Sequence, residues 1–235
     1  MVFSATHQLE MPQGFPAEAM SAFMAAARRV TIGPPKSEAW KELAGASNLT
    51  GWRFRACYED MRSYIDSWNS IGANTSFEEM YLRDKALFGM FTSGVSCVES
   101  TCYAINALAS HSTLLNLPFG KKEQRSCNPE HLRKSLVTFD KAKALVSTLD
   151  AIISSGEWRL WVDLRNRMTH RSTLPRVSNA AVGSEPPPAK ALDFAATSST
   201  AAFKGDTRHL EELFAWLSSS VHELLTGGLE LAEHP

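Results

Sequence analysis

The sequence predicts an all-α protein, an antiparallel bundle of about four main helices with an N-terminal helical arm and a long Pro/Ser/Ala-rich loop before the last helix. Three observations carry this. Five segments repeat apolar residues at three-and-four spacing, and none of comparable length alternates as a strand would. Capping and stop residues fall between these segments, where helices would begin and end. The chain has 235 residues, 44% hydrophobic and 21% charged, enough to bury a core in one domain or one domain plus an appendage. Ordinary hydrophobicity and a formal charge of −1 exclude disorder, and they exclude a whole-chain basic field for steering onto nucleic acid.

Residues 1–50 read as an arm with one helix, about Ala17 to Val30, ended by Gly33, Pro34 and Pro35. Residues 51–235 read as the bundle. Its first helix, 52–71, places Trp52, Phe54, Cys57, Met61, Tyr64 and Ile71 on one stripe, with Gly72 as the stop. Ser76 and Glu79 have capping-box spacing and open a long pattern from Met80 through Leu108 that would run to about residue 110. Asn128, Pro129 and Glu130 supply an N-cap, a first-turn proline and a first-turn acid for a third helix, through Leu132, Leu136, Phe139 and Val146 to Ile153, with Gly156 ending it. A shorter fourth helix carries Trp158, Trp161 and Leu164 and continues toward Arg171. The last starts near Asp206 and ends before Gly227 and Gly228. Residues 172–205, including Pro186, Pro187 and Pro188, read as a mobile loop. Short connections between long helices make neighbours antiparallel.

Cys57, Cys97, Cys102 and Cys127 form no paired framework, so reduced, mostly buried thiols are expected rather than disulfides or a zinc site. No metal site and no cofactor is expected. The chain lacks GxxxxGK[ST], GxGxxG after a strand, GxSxG and HExxH, which removes the usual support for nucleotide hydrolysis, dinucleotide redox chemistry, esterase chemistry and zinc proteolysis. No apolar run has a membrane helix's length and no basic-then-apolar leader is seen, so a cytoplasmic protein without membrane contact is expected.

Chemistry concentrates in residues 158–176, where Arg159, Arg165, Arg167, Arg171 and Arg176 face the single acid Asp163, with no Lys. A planar guanidinium grips a phosphate through two hydrogen bonds, which suits a phosphodiester. The plain structural reading is a solvated helix face with Asp163 and Arg167 paired at i, i+4. Arg165, Asn166, Arg167, Met168, Thr169 and His170 give Arg, a polar residue, and His after four intervening positions. This resembles the HEPN superfamily of all-α domains, whose signature is Arg, four to six residues, then His. Arg125 and His131 also match that spacing but lack the polar amide and the preceding amphipathic helix.

The resemblance implies a metal-independent endoribonuclease, a toxin or defence effector in a toxin-antitoxin setting. Arg165 and His170 would be catalytic and Asn166 a positioning group; the remaining arginines, Arg159, Arg167, Arg171 and Arg176, would bind RNA phosphates. It also implies a homodimer with a composite site and leaves room for a regulatory protein partner. Ser172 stands where one family variant carries a modifiable Tyr, which argues against that form of control. On a straight helix Arg165 and His170 are about 140° apart, so convergence needs a helix end or a second subunit. Gly89, Ser93 and Cys97 on one stripe would permit close helix approach at a dimer interface or inside the bundle. Glu99, Tyr103 and Asn106 share a face that would line a cleft or make an interhelical polar contact. The alternative function is a catalytically silent helical module binding RNA, a nucleotide or a protein partner; an interaction scaffold without nucleic acid is a third.

Overall fold

A computed structural model describes residues 1–31, 38–72, 76–170, 203 and 206–233. The protein is an all-α helical bundle with one small antiparallel hairpin, β1 (Val2–Ser4) and β2 (Leu9–Met11), in register Val2 to Met11. The helices are α1 (Ala17–Val30), α2 (Glu38–Ile71), α3 (Phe77–Ala109), α4 (Lys121–Arg125), α5 (Pro129–Leu136), α6 (Lys143–Ser154), α7 (Gly156–His170) and α8 (Thr207–Glu233). Among the described residues no helix is long and apolar enough to cross a membrane. The loop expected over 172–205 lies outside the described residues except Phe203.

Two compact units divide the chain, and α2, α3 and α8 each contribute to both. Unit 1 comprises Met1–Arg55, Ser96–Ser155 and Trp216–Pro235. Its core gathers Met20 and Phe23 of α1, Phe54 of α2, Cys102 and Ile105 of α3, and Leu217 of α8, all at most 2% exposed. The hairpin is fastened by His7, whose Nε2 donates to the Ser47 carbonyl at 3.1 Å while its Nδ1 pairs with the Ser4 hydroxyl at 2.9 Å. Gly51 makes room for that imidazole, since a Cβ there would sit 2.2 Å from Nε2.

Unit 2 comprises Ala56–Val95 and Gly156–Ala215. Gly89 of α3 closes onto Asp60 of α2, Phe91 of α3 meets Trp161 of α7 edge-on at 5.0 Å, and Tyr58 of α2 meets Phe214 of α8 at 5.4 Å. The α2–α3 turn is stopped by Gly72 at φ 68° and restarted by a capping box, with the Ser76 backbone N–H donating to Glu79 Oε2 at 2.7 Å and the Glu79 N–H to Ser76 Oγ at 3.2 Å. Arg83, only 2% exposed, staples the turn: Nε and Nη2 donate to the Ser67 hydroxyl and carbonyl, and Nη1 to the Gly72 carbonyl, at 2.8–2.9 Å.

Several sequence expectations need correction. The segment from Asn128 to Ile153 is two helices, because the chain leaves the helix after Leu136 and re-enters through a 3-10 turn at Asp140–Ala142. Gly156 opens α7; α6 ends at Ser154, where Ser155 turns extended. Gly227 and Gly228 lie inside α8, where they admit Leu145 and the rings and chains of Phe23 and Ile105. α2 begins at Glu38, well before residue 52, and Trp52 and Ile71 are 58% and 37% exposed. Trp52 precedes Phe54 by two positions, about 200° around the helix, which points it away from the buried face. Gly89, Ser93 and Cys97 pack within the chain: Gly89 against Asp60, Ser93 buried, and Cys97 donating to the Thr50 carbonyl.

Candidate functional site

α7 forms because its apolar residues sit on one side. Trp158, Leu160, Trp161 and Leu164 are buried, and Glu157 complements the helix N-terminus. Gly94 of α3 fixes its depth, since a Cβ there would lie 2.3 Å from Trp161 Cζ3. The helix is continuous from Gly156 to His170, so Arg165, Asn166 and His170 share one rigid element.

Helical geometry then sorts the expected site residues. At 100° per residue, Arg159, Asp163, Asn166 and His170 fall within about 60° of one another, a stripe at i, i+4, i+7 and i+11. Arg159 and His170 are exposed, and Asp163 and Asn166 are half-buried. Arg165 is half-buried and stands about 140° from His170, on the side of Trp158 and Trp161. Arg167 is half-buried and flanks the stripe about 60° from His170. Arg171 and Arg176 lie outside the described residues. The fold therefore sets Asn166 and His170 one turn apart on a face shared with Asp163 and Arg159, Arg159 lying about 16 Å along the helix from His170, and within one helix it holds Arg165 on another side.

The second Arg and His match is divided between elements. Arg125 ends α4, while His131 sits in the first turn of α5, its backbone N–H capped by Asn128 Oδ1 at 2.8 Å. Of the face shared by Glu99, Tyr103 and Asn106, Asn106 is buried, whereas Glu99 and Tyr103 line an open groove of about 490 Å³ within unit 1. Arg53, Arg125 and Cys127 line it too. Sequence reasoning missed this groove, since its walls come from three separated segments.

The cysteines are thiols, with Cys57, Cys97 and Cys102 buried and Cys127 half-buried. Burial, reinforced by the Glu99 carboxylate, pushes the Cys127 thiol up to about 12, and burial raises Cys97 further. Neither is poised as a nucleophile. Among the described residues no group of three His, Cys, Asp or Glu is arranged to hold a metal ion. No protein-family model, curated protein or solved structure matches the chain.

Proposed function

We propose that the chain is a HEPN-like, metal-independent endoribonuclease of the cytoplasm that acts as a homodimer, with α7 as its RNA-facing element. The observation that carries this reading is the stripe Arg159, Asp163, Asn166 and His170, which ends in an exposed imidazole at the C-terminal end of α7. A guanidinium at one end of such a stripe binds a phosphate, and the imidazole at the other meets the sugar-phosphate link.

In the reaction, the RNA 2′-oxygen attacks the adjacent phosphorus and the bond to the 5′-oxygen breaks. The His170 imidazole takes the 2′-hydroxyl proton, a water molecule gives one to the leaving 5′-oxygen, and the resulting hydroxide recovers the imidazolium proton. Arg165 neutralises the charge on the pentacovalent phosphorus. A second copy brings an Arg165 to a His170 that its own helix holds about 140° away. Asn166, one turn before His170, orients the ring or a phosphate oxygen. A toxin or defence role follows from this chemistry when a regulatory protein holds it in check.

The test is cleavage of single-stranded RNA in EDTA. Wild-type protein leaves 2′,3′-cyclic phosphate ends, and Arg165→Ala and His170→Ala each lose cleavage with helicity intact. Cleavage that survives both substitutions refutes the assigned roles.

A second reading has its own support. Within a single α7 the Arg165 and His170 side chains diverge, and an arginine-rich helix with no converged pair binds without turnover. That silent module gives salt-sensitive RNA binding, weakened by Arg159→Gln, and no cleavage products.

A further inference from the structure

In unit 2, α3 turns an apolar face to solvent where a helix of a soluble bundle is ordinarily polar. The exposed residues from 77 to 88 are Phe77, Glu78, Tyr81, Leu82, Lys85 and Phe88. At 100° per residue they fall in one sector of about 140°. The other side packs inside the unit, where Arg83, Ala86 and Leu87 are buried and Trp161 of α7 meets Phe91. Asp60 of α2, which attracts Lys85, closes on Gly89 along one flank. Phe77 is 88% exposed, Tyr81 60%, Leu82 49% and Phe88 42%. Large apolar side chains gathered on one outward face form the kind of patch that marks an interaction surface.

The charges on this face select what covers it. Glu78 and Lys85 are two turns apart, about 10 Å along the helix, and differ by only about 20° around it. A second α3 laid parallel would set Glu78 against Glu78 and Lys85 against Lys85. Laid antiparallel about a two-fold axis at Tyr81 and Leu82, it sets each Glu78 opposite the partner's Lys85. The same reversal brings Tyr81 to the partner's Leu82, and Phe77 to within about half a turn of the partner's Phe88. One register therefore matches charges and apolar groups together. Nucleic acid is a poorer occupant, because Glu78, Glu79 and Asp84 stand around the apolar groups against Lys85 alone, Arg83 being buried.

We propose that residues 77–88 of α3 are a self-association surface on which a second copy of this chain docks antiparallel, Glu78 against the partner's Lys85. The interface deepens the homodimer of the proposed function and rests on that reading for its role in cleavage; the docking itself is read from α3 alone. The seam is short, about 17 Å by helical rise, so the dimer is reversible and concentration-dependent.

Sedimentation velocity of the full chain without RNA, from micromolar to submillimolar concentration, is the test. Wild type is expected to pass from monomer to dimer. Glu78→Lys and Lys85→Glu each set like charges together in the seam and weaken the dimer by at least about tenfold, with helicity intact by circular dichroism. Mixed in equal amounts, the two variants regain the dimer, because each supplies the charge the other lacks. Phe77→Ser, at a side chain that packs against little in its own chain, weakens the dimer while the melting temperature holds. A wild type that stays monomeric throughout, or a dimer that neither charge reversal weakens, overturns the surface. Reversals that weaken the dimer yet fail to recover on mixing overturn the antiparallel docking. Cleavage is scored separately: a charge-paired dimer that leaves RNA intact contradicts the proposed function and leaves this interface standing.

Discussion

Arg83 is buried at the α2–α3 turn, and its replacement by Met is expected to cost about 3 kcal/mol. The guanidinium is 2% exposed, bonds Ser67 twice and the Gly72 carbonyl once, and lies 5.1 Å from the centre of the Trp68 ring. A carbonyl left without its donor costs about 1–3 kcal/mol, the bonds to Ser67 add a similar amount, and stacking on Trp68 about 1 kcal/mol. Part of this is offset because a buried charge no longer needs desolvating. Met preserves most of the aliphatic stem, so the loss reports the guanidinium rather than a cavity. Against a total stability of about 5–15 kcal/mol this is a large fraction, and at about 2–4 °C per kcal/mol it lowers Tm by about 6–12 °C. Urea unfolding followed by circular dichroism gives the difference directly. Arg83→Lys recovers part of it, since one ammonium reaches fewer of the three acceptors. A loss below about 1 kcal/mol for Arg83→Met would refute the view that this side chain holds the α2–α3 turn.

Other expectations follow from single contacts. Burial lowers the His7 pKa below its ordinary value, so the unfolded chain takes up the proton first as pH falls below about 6.5; stability is full above that pH and declines below it, and His7→Gln flattens this decline in urea midpoints measured across the range. Gly94→Ala drives a methyl into Trp161 and is expected to cost about 1–3 kcal/mol, with a shift in tryptophan emission; unchanged stability would mean α7 is not seated against α3 at this depth. Cys127, with its thiol pushed up to about 12, is expected to react with iodoacetamide at neutral pH about two orders of magnitude more slowly than an exposed thiol, the smaller thiolate fraction being partly offset by a stronger nucleophile; mass spectrometry of the alkylated peptide measures it.

Local signals were readable where one residue's chemistry decides the backbone. The bounds of α1, the Ser76–Glu79 capping box, the Asn128 cap with Pro129 behind it, and the Gly72 stop all depend on neighbours within a turn. Misreadings arose where distant packing overrides a local rule. Gly227 and Gly228 look like helix stops by propensity, yet they serve the approach of Leu145, Phe23 and Ile105. The break after Leu136 was hidden because Phe139 and Val146 keep a helical period across residues that are not helical. Strands of three residues are too short to display alternation, so the hairpin left no pattern. Arg83 resembles any exposed arginine until α3 folds back on the end of α2.

The candidate site was legible to the same extent. The Arg, Asn and His of α7 stand out in sequence, and the helix that carries them has the expected apolar face. Their angular relation is also computable from sequence, although it becomes a constraint only once α7 is one unbroken helix through His170. The groove in unit 1 was not legible, because its walls on α2, α3 and residues 124–128 are far apart in sequence and line one space only in the fold.

The most direct test of the RNA-cleaving reading mixes two inactive proteins. Arg165→Ala and His170→Ala, each silent alone, are combined in equal amounts, allowed to exchange subunits, and assayed on single-stranded RNA in EDTA. Regained cleavage is expected, because an intact Arg165 from one chain then meets an intact His170 from the other. A mixture as inactive as its components, alongside an active wild type, would contradict a site shared between copies of α7.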